Sequence, residues 1–373
     1  LNVDVENSTK MILDLLSSSA NYDIQSCLAN CSNNGLCKLE ENTFKCICHE
    51  GFEGYSCNQD VRPCSSSKTS CINFESCQNI KINNIKIEGD NIFFNTDANN
   101  LYKVKEDFSF LFPPQYDDQI WINRLKDTIQ NQLYSEVNLS FGDFSDQKYE
   151  IESFYTNYLE YNPKYKIPRL ITLTTDVDYR KKIILTDSLL LIGLDNYLGE
   201  NHFFYSSFPN YIKSTFNKEN IVIDIAKEYA VSVVSEIKVD NYTFIEKMIN
   251  HGKILLFTSS MLTDTEDSKI IGYTNEEFSW ALKNEKNIWA NFIKNEYLFS
   301  SDNNLDSRFI NLAPFSKFYL SIDNDSPSMI GKFIGWKIVK SFMKVNSSSL
   351  NELIQYDPMY IYNNSKYKPS NYE

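Results

Sequence analysis

The chain has 373 residues, 49 acidic against 36 basic, for a formal net charge of −13. That balance repels phosphate backbones and no run of Lys or Arg offsets it, which excludes nucleic acid as a partner. Hydrophobic residues make up 42% and aromatics 14%, enough for a packed core and incompatible with a disordered chain. The longest apolar runs, such as LLLIGL at 189–194, fall far short of the roughly twenty residues that span a bilayer, so no transmembrane segment is expected.

Residues 1–26 hold one apolar cluster, MILDLL at 11–16, which reads as a short helix or a tether. The nine cysteines follow, all between Cys27 and Cys77. The stretch CICHEGFEGYSC at 46–57 places Gly51, Phe52 and Gly54 so that the segment 27–57 resembles an EGF-like module. Spacing alone leaves the pairing open; the resemblance implies Cys27 with Cys37, Cys31 with Cys46 and Cys48 with Cys57. A module this small replaces core burial with disulfides, and these persist in an oxidising compartment, so an extracytoplasmic location is expected. Asp23 precedes the module as in calcium-binding versions, but Leu39 stands where they carry an acid or amide, and no cofactor is expected. Cys64, Cys71 and Cys77 lie in a Ser-rich linker, 58–79, and cannot all pair among themselves; the leftover thiol is either buried or bridges to another chain. No secretory leader is visible, so the numbering is read as starting at a processed terminus.

Alternation at 80–94 predicts a β-hairpin turning near Gly89 and Asp90. Trp121, Leu125, Ile129, Leu133 and Val137 recur every fourth residue and predict one amphipathic helix over 118–137. A second helix is predicted at 146–161, then strands at 170–175, 182–187 and 189–195. Helices are predicted at 209–216, 219–237, 241–262, 274–296, 327–344 and 347–355. Strands early and helices late predict an α+β fold, mainly helical with a small sheet. Gly331 and Gly335, beside Trp336, share a helix face and would admit a close backbone neighbour. Trp280 and Trp289 are expected to anchor the core.

The segments LFPPQYDDQIWINRLKDT at 111–128, ITLTTDVDYRKKIILTDSLLLIGLDNYLGENHFFY at 171–205, MINHGKILLFTSSMLTDTEDSKIIGYTNEEFSWALKNEKNIWANFI at 248–293 and APFSKFYLSIDNDSPSMIGKFIGWKIVKSFM at 313–343 resemble the GldB family of gliding-motility-associated lipoproteins of Bacteroidetes, over 80–369, leaving a tail at 370–373. The resemblance implies a cell-envelope protein, normally lipidated on an N-terminal cysteine. Here the chain starts at Leu1 and its first cysteine belongs to the EGF-like module, so the lipid is not expected to carry over.

The family is similar in turn to zincin-type metallopeptidases, whose HExxH helix binds zinc through two histidines and activates water with the Glu. The resemblance puts that site on a degenerate zincin-like helix reading Lys227, Glu228, Tyr229, Ala230 and Val231, with neither histidine. The other histidines, His49, His202 and His251, have no supporting spacing; His202 is expected to cap the loop ENHFFY, and His251 to end a helix where a cation meets the dipole. Asp176, Asp178, Asp187 and Asp195 surround the strands as possible acid/base or cation ligands, or as turn formers. No G-x-S-x-G elbow, P-loop or dinucleotide fingerprint is present. Sequons at Asn7, Asn30, Asn138, Asn241, Asn324, Asn346 and Asn363 permit glycosylation, at about the number chance supplies in so Asn- and Ser-rich a chain. No metal or catalytic residue is expected. The leading reading is a non-catalytic envelope or cell-surface component that binds other proteins; the alternatives are a subunit of a glycosylated extracellular filament, held by self-association, and a divergent metallohydrolase.

Overall fold

The computed structural model describes residues 99–370, apart from 108–111, 113–115, 143 and 235–241, and before them the backbone of five short strands. The chain divides into two units, Leu1–Leu198 and Gly199–Glu373. Within 27–57, strands β1 (Gly35–Glu40) and β2 (Thr43–Cys48) pair antiparallel, with Gly35 opposite Cys48 and Cys37 opposite Cys46. β3 (Phe52–Glu53) pairs with β4 (Gln59–Asp60) in the same sense. The cysteine side chains and the expected 11–16 helix lie outside the described residues.

The rest of the first unit is helical with one mixed sheet. β5 (Ile87–Glu88) runs parallel to β6 (Arg169–Leu173), β6 runs parallel to β8 (Leu189–Gly193), and β7 (Ile183–Leu185) closes the edge antiparallel to β8. β8 is buried along its whole length, as a continuous LLLIG run requires when both faces are covered. The β7–β8 turn is closed by Thr186, whose backbone N–H donates to Leu189 O and whose Oγ1 accepts from Leu189 N. Of the hairpin expected at 80–94 only β5 is described, and it pairs with β6.

Helix α1 spans Leu101–Asp107. The single helix expected over 118–137 is two, α2 (Asp118–Leu125) and α3 (Thr128–Phe141). The break is Asp127, whose carboxylate accepts from Ile129 N and Gln130 N at 2.8 and 3.2 Å and starts a new helix as N-cap. The stripe is divided accordingly: Trp121, Leu133 and Val137 are buried, while Ile129 is exposed. α4 (Ser145–Tyr161) lies where expected.

The second unit is all helix among its described residues: α5 (Asn210–Lys213), α6 (Asn220–Val234), α7 (Phe244–Met261), α8 (Asp267–Ile271), α9 (Asn275–Lys294), α10 (Asn304–Phe309), α11 (Ile330–Asn346), α12 (Leu350–Gln355) and α13 (Pro358–Asn364). Three of them start with Ser/Thr-x-x-Glu capping boxes, Thr243/Glu246, Thr274/Glu277 and Ser349/Glu352, each satisfying two orphan amides. α7 and α11 cross with their backbones in contact: a Cβ on Gly335 would overlap the Met248 carbonyl, and one on Gly252 the Gly335 carbonyl. The expected close approach is therefore real. Trp280 and Trp289 are only half-buried; the stripe of α9 that enters the core is Ala281, Glu285, Ile288 and Phe292.

Candidate functional site

α6 carries residues 227–231, the segment where a zincin-type metal grip was expected from sequence. Its apolar residues Ile225, Ala226, Tyr229 and Ala230 are buried, which turns Glu228 and Val231 toward solvent and leaves Lys227 at the boundary. Although the Glu228 side chain reaches solvent, its carboxyl loses part of its hydration against the protein, and this, followed by the neighbouring Asp224 carboxylate, raises it above its ordinary range. Lys332 comes from the first turn of α11; burial, and then the Lys227 ammonium, push it down to about 8. His251 comes from α7, where burial, and then the Lys332 ammonium, push it down to about 3.

His251 is thus a neutral imidazole inside a helix, not a cation at a helix end as its sequence position suggested. Two ammonium groups, Lys227 and Lys332, thus lie near the neutral His251, with the Asp224 and Glu228 carboxylates on the same helix as Lys227. Zinc does not fit the two positions where a zincin carries its histidines: a protonated ammonium has no lone pair and the Val231 isopropyl has none. Among the described residues no group of three His, Cys, Asp or Glu side chains is placed to hold a metal.

The model for "Gliding motility protein GldB" matches residues 71–369. This chain belongs to the GldB family. The match begins at residue 71 where the sequence reading placed 80, so it takes in Cys71 and Cys77. An EGF-like domain model matches 27–54. Protein lin-12 of Caenorhabditis elegans is 41% identical over 49 residues, 13% of this chain and 3% of that protein. The chain thus spans a small fraction of that relative's length. No solved structure matches. Among the described residues no helix is long and apolar enough to cross a membrane.

The remaining sequence candidates of this GldB-family chain fall into separate structural roles. His202 caps the turn Phe203–Tyr205, its Nδ1 accepting from Phe204 N at 3.4 Å, and stacks on Phe204. Asp178 accepts from Arg180 N and Nε and caps the turn Tyr179–Lys181; burial opposes its charge, but the Arg180 bonds outweigh it and hold the carboxyl below its usual range. Asp187 is exposed in the β7–β8 turn.

Asp176 and Asp195 are the pair the structure brings together, at the carboxyl ends of β6 and β8. Asp195 is fully buried and accepts from Thr175 N (2.9 Å), Thr175 Oγ1 (3.1 Å) and Val177 N (2.7 Å). Asp176 takes both arms of Arg124, at 2.9 and 3.2 Å, and the Gln130 amide. Every one of these bonds holds the chain in place; none presents an open carboxylate.

Four sequon asparagines are described, Asn138, Asn324, Asn346 and Asn363, and all are exposed. The hydroxyl residues following Asn324 and Asn363, Ser326 and Ser365, are buried, and the Asn346 amide already donates to Phe342 O and Asn364 O. Asn7, Asn30 and Asn241 lie outside the described residues. Sequence reading missed two buried charges, Lys253 and Glu285, and the half-buried Lys332. Lys253 donates to Ile354 O and Tyr356 O at the end of α12. Glu285 receives Tyr367 Oη (2.9 Å), Ser370 Oγ (2.8 Å) and Lys337 (3.2 Å). For Glu285 a signal existed, since it interrupts the apolar spacing 281, 288 and 292.

Proposed function

We propose that this chain is a non-catalytic extracytoplasmic component of the cell surface or envelope that works by binding other proteins, with segments 1–26, 27–57, 58–79, 80–369 and 370–373 as its domain plan. The observation that carries the reading is the pair of residues at the position where a zincin would hold its ion, an ammonium and an isopropyl group. Lys227 replaces one ligand, Val231 the other, and Lys332 supplies a second positive charge. Membership of the gliding-motility family supports an envelope location, and the EGF-like match supports an oxidising, extracellular setting and contacts with other proteins. The odd number of cysteines favours one second reading, self-association through a disulfide in an extracellular assembly.

Metal analysis tests the leading reading. Purified chain, dialysed against chelator-free buffer with added zinc, should retain far less than one zinc per molecule and should not cleave unfolded protein substrates. Stoichiometric zinc, lost on His251→Ala or His202→Ala, would restore the hydrolase reading.

A further inference from the structure

The chain leaves helix α13 at Asn364 and runs on without helix or strand over residues 366–370. Up to Ser365 it is firmly held: Ile361 is fully buried, Ser341 Oγ donates to Ser365 O at 2.8 Å, and the Asn346 amide donates to Asn364 O at 3.0 Å. Beyond Ser365, no backbone group of 366–370 bonds to another backbone group among the described residues. Lys366 and Lys368 are exposed. The joint is Lys366 at φ +49°, left-handed backbone that is uncommon outside glycine.

The hydrogen bonds that tie this segment to the helices, among the described residues, all end on one side chain of α9. Glu285 Oε1 accepts from Tyr367 Oη at 2.9 Å and from Ser370 N at 3.3 Å, and Oε2 accepts from Ser370 Oγ at 2.8 Å. One turn further along α9, Trp289 meets the Tyr367 ring edge-on, with centroids 5.2 Å apart. Burial, and then the Glu285 carboxylate, hold the Tyr367 phenol above its usual range, so its hydroxyl stays a donor.

A buried carboxylate is a costly fastening. An apolar residue at 285 would continue the stripe of Ala281, Ile288 and Phe292 and hold by packing, whereas a Glu holds only while its donors are in place. Lys337 of α11 supplies what the carboxylate needs when they leave: its ammonium lies 3.2 Å from Oε2 and is 29% exposed. Tyr367 and Ser370, only half-buried, can then exchange Glu285 for water. Opening therefore orphans no charge on either side, which is the condition for local release without unfolding.

We propose that residues 366–370 form a strap latched by Glu285, which swings open about Lys366 while α9, α11 and α13 stay folded. Closed, it covers the Tyr367-facing side of Trp289; open, it bares that ring and the Glu285–Lys337 pair. One carboxylate thus decides whether this surface is presented. The inference stands apart from the absence of catalysis proposed above.

Hydrogen exchange of the purified full chain, read at the amide of residue 370 with amides of α9 and α11 as reference, tests it. In the native protein the Ser370 amide should exchange at least about tenfold faster than the core helix amides, at a rate insensitive to low denaturant. Tyr367→Phe/Ser370→Ala removes two donors and leaves Glu285 and Lys337 in place. It should speed exchange at residue 370 about tenfold or more and leave the main melting transition within about 2 °C. Glu285→Gln should speed the same amide from the other half of the latch; since it alters a buried side chain, the double substitution decides if that variant does not fold. Exchange of Ser370 only through global unfolding, an unchanged rate in the double variant, or a main transition lowered beyond those 2 °C would overturn the proposal and make the segment part of the helical core.

Discussion

Asp195 shows how a carboxylate can look catalytic in sequence and be structural in space. Burial first, and then the nearby Asp176, raise its carboxyl to about 6 against the pull of its backbone bonds. It holds Thr175 and Val177 while Asp176 and Val177 adopt φ of +55° and +59°, uncommon for an aspartate and an outlier for a β-branched valine. Asp195→Ala should therefore destabilise the first unit by about 3 kcal/mol, the loss of several bonds to one buried acceptor. Asp195→Asn keeps an oxygen for the two amides and should lose less than about 1 kcal/mol. A raised pKa means that the folded state binds more protons than the unfolded between pH 3.8 and about 6, so this group's contribution to stability falls as pH rises through that window. In Asp195→Asn that fall should vanish from denaturant melts taken across the window. Identical slopes in both proteins would remove the assignment.

At the scale of elements, the crossing of α7 and α11 rests on Gly252 and Gly335, and the glycine pattern of α11 announced it. Elsewhere a Gly-to-Ala change in a helix gains about 1 kcal/mol of propensity. Here Gly335→Ala must push two helices apart and should cost at least about 3 kcal/mol net, read as a lower denaturation midpoint or as loss of soluble protein. Gly331→Ala, whose nearest neighbours include the movable tip of Ile310, should cost less. The same logic explains what the sequence made legible. Long apolar stripes placed α4, α6, α7, α9, α11 and α12 within a few residues, while the Ser/Thr-x-x-Glu boxes that start α7, α9 and α12 were a further signal left unread. The break at Asp127 was hidden because the stripe continues across it, while α8, five residues long, falls between the helices expected at 241–262 and 274–296 and was missed. α10 and α13 are short and were missed, although Asp357 followed by Pro358 is a helix-start signal. The approach of Lys332 and His251 to Lys227 could not be read at all, since they belong to helices that only tertiary packing brings together.

At the scale of the molecule, stability is divided by chemistry. Every cysteine lies at or before Cys77 and none follows, so the helical core of the second unit depends on burial alone, while the segment 27–57 is too small for burial to suffice. Reductant should then leave the main thermal transition within about 2 °C of its oxidised value and abolish only the order of the N-terminal segment, followed by protease sensitivity before residue 99. Nine cysteines also impose parity: an oxidised monomer must expose an odd number of thiols to a denaturing alkylation. With the three EGF-like pairs formed and one pair among Cys64, Cys71 and Cys77, that number is one. Intact mass after alkylation should show a single label per chain, and digestion should place it on one of those three residues. A covalent dimer without label, collapsing to monomer on reduction, would instead put the odd thiol between two chains and make self-association the better account of the molecule.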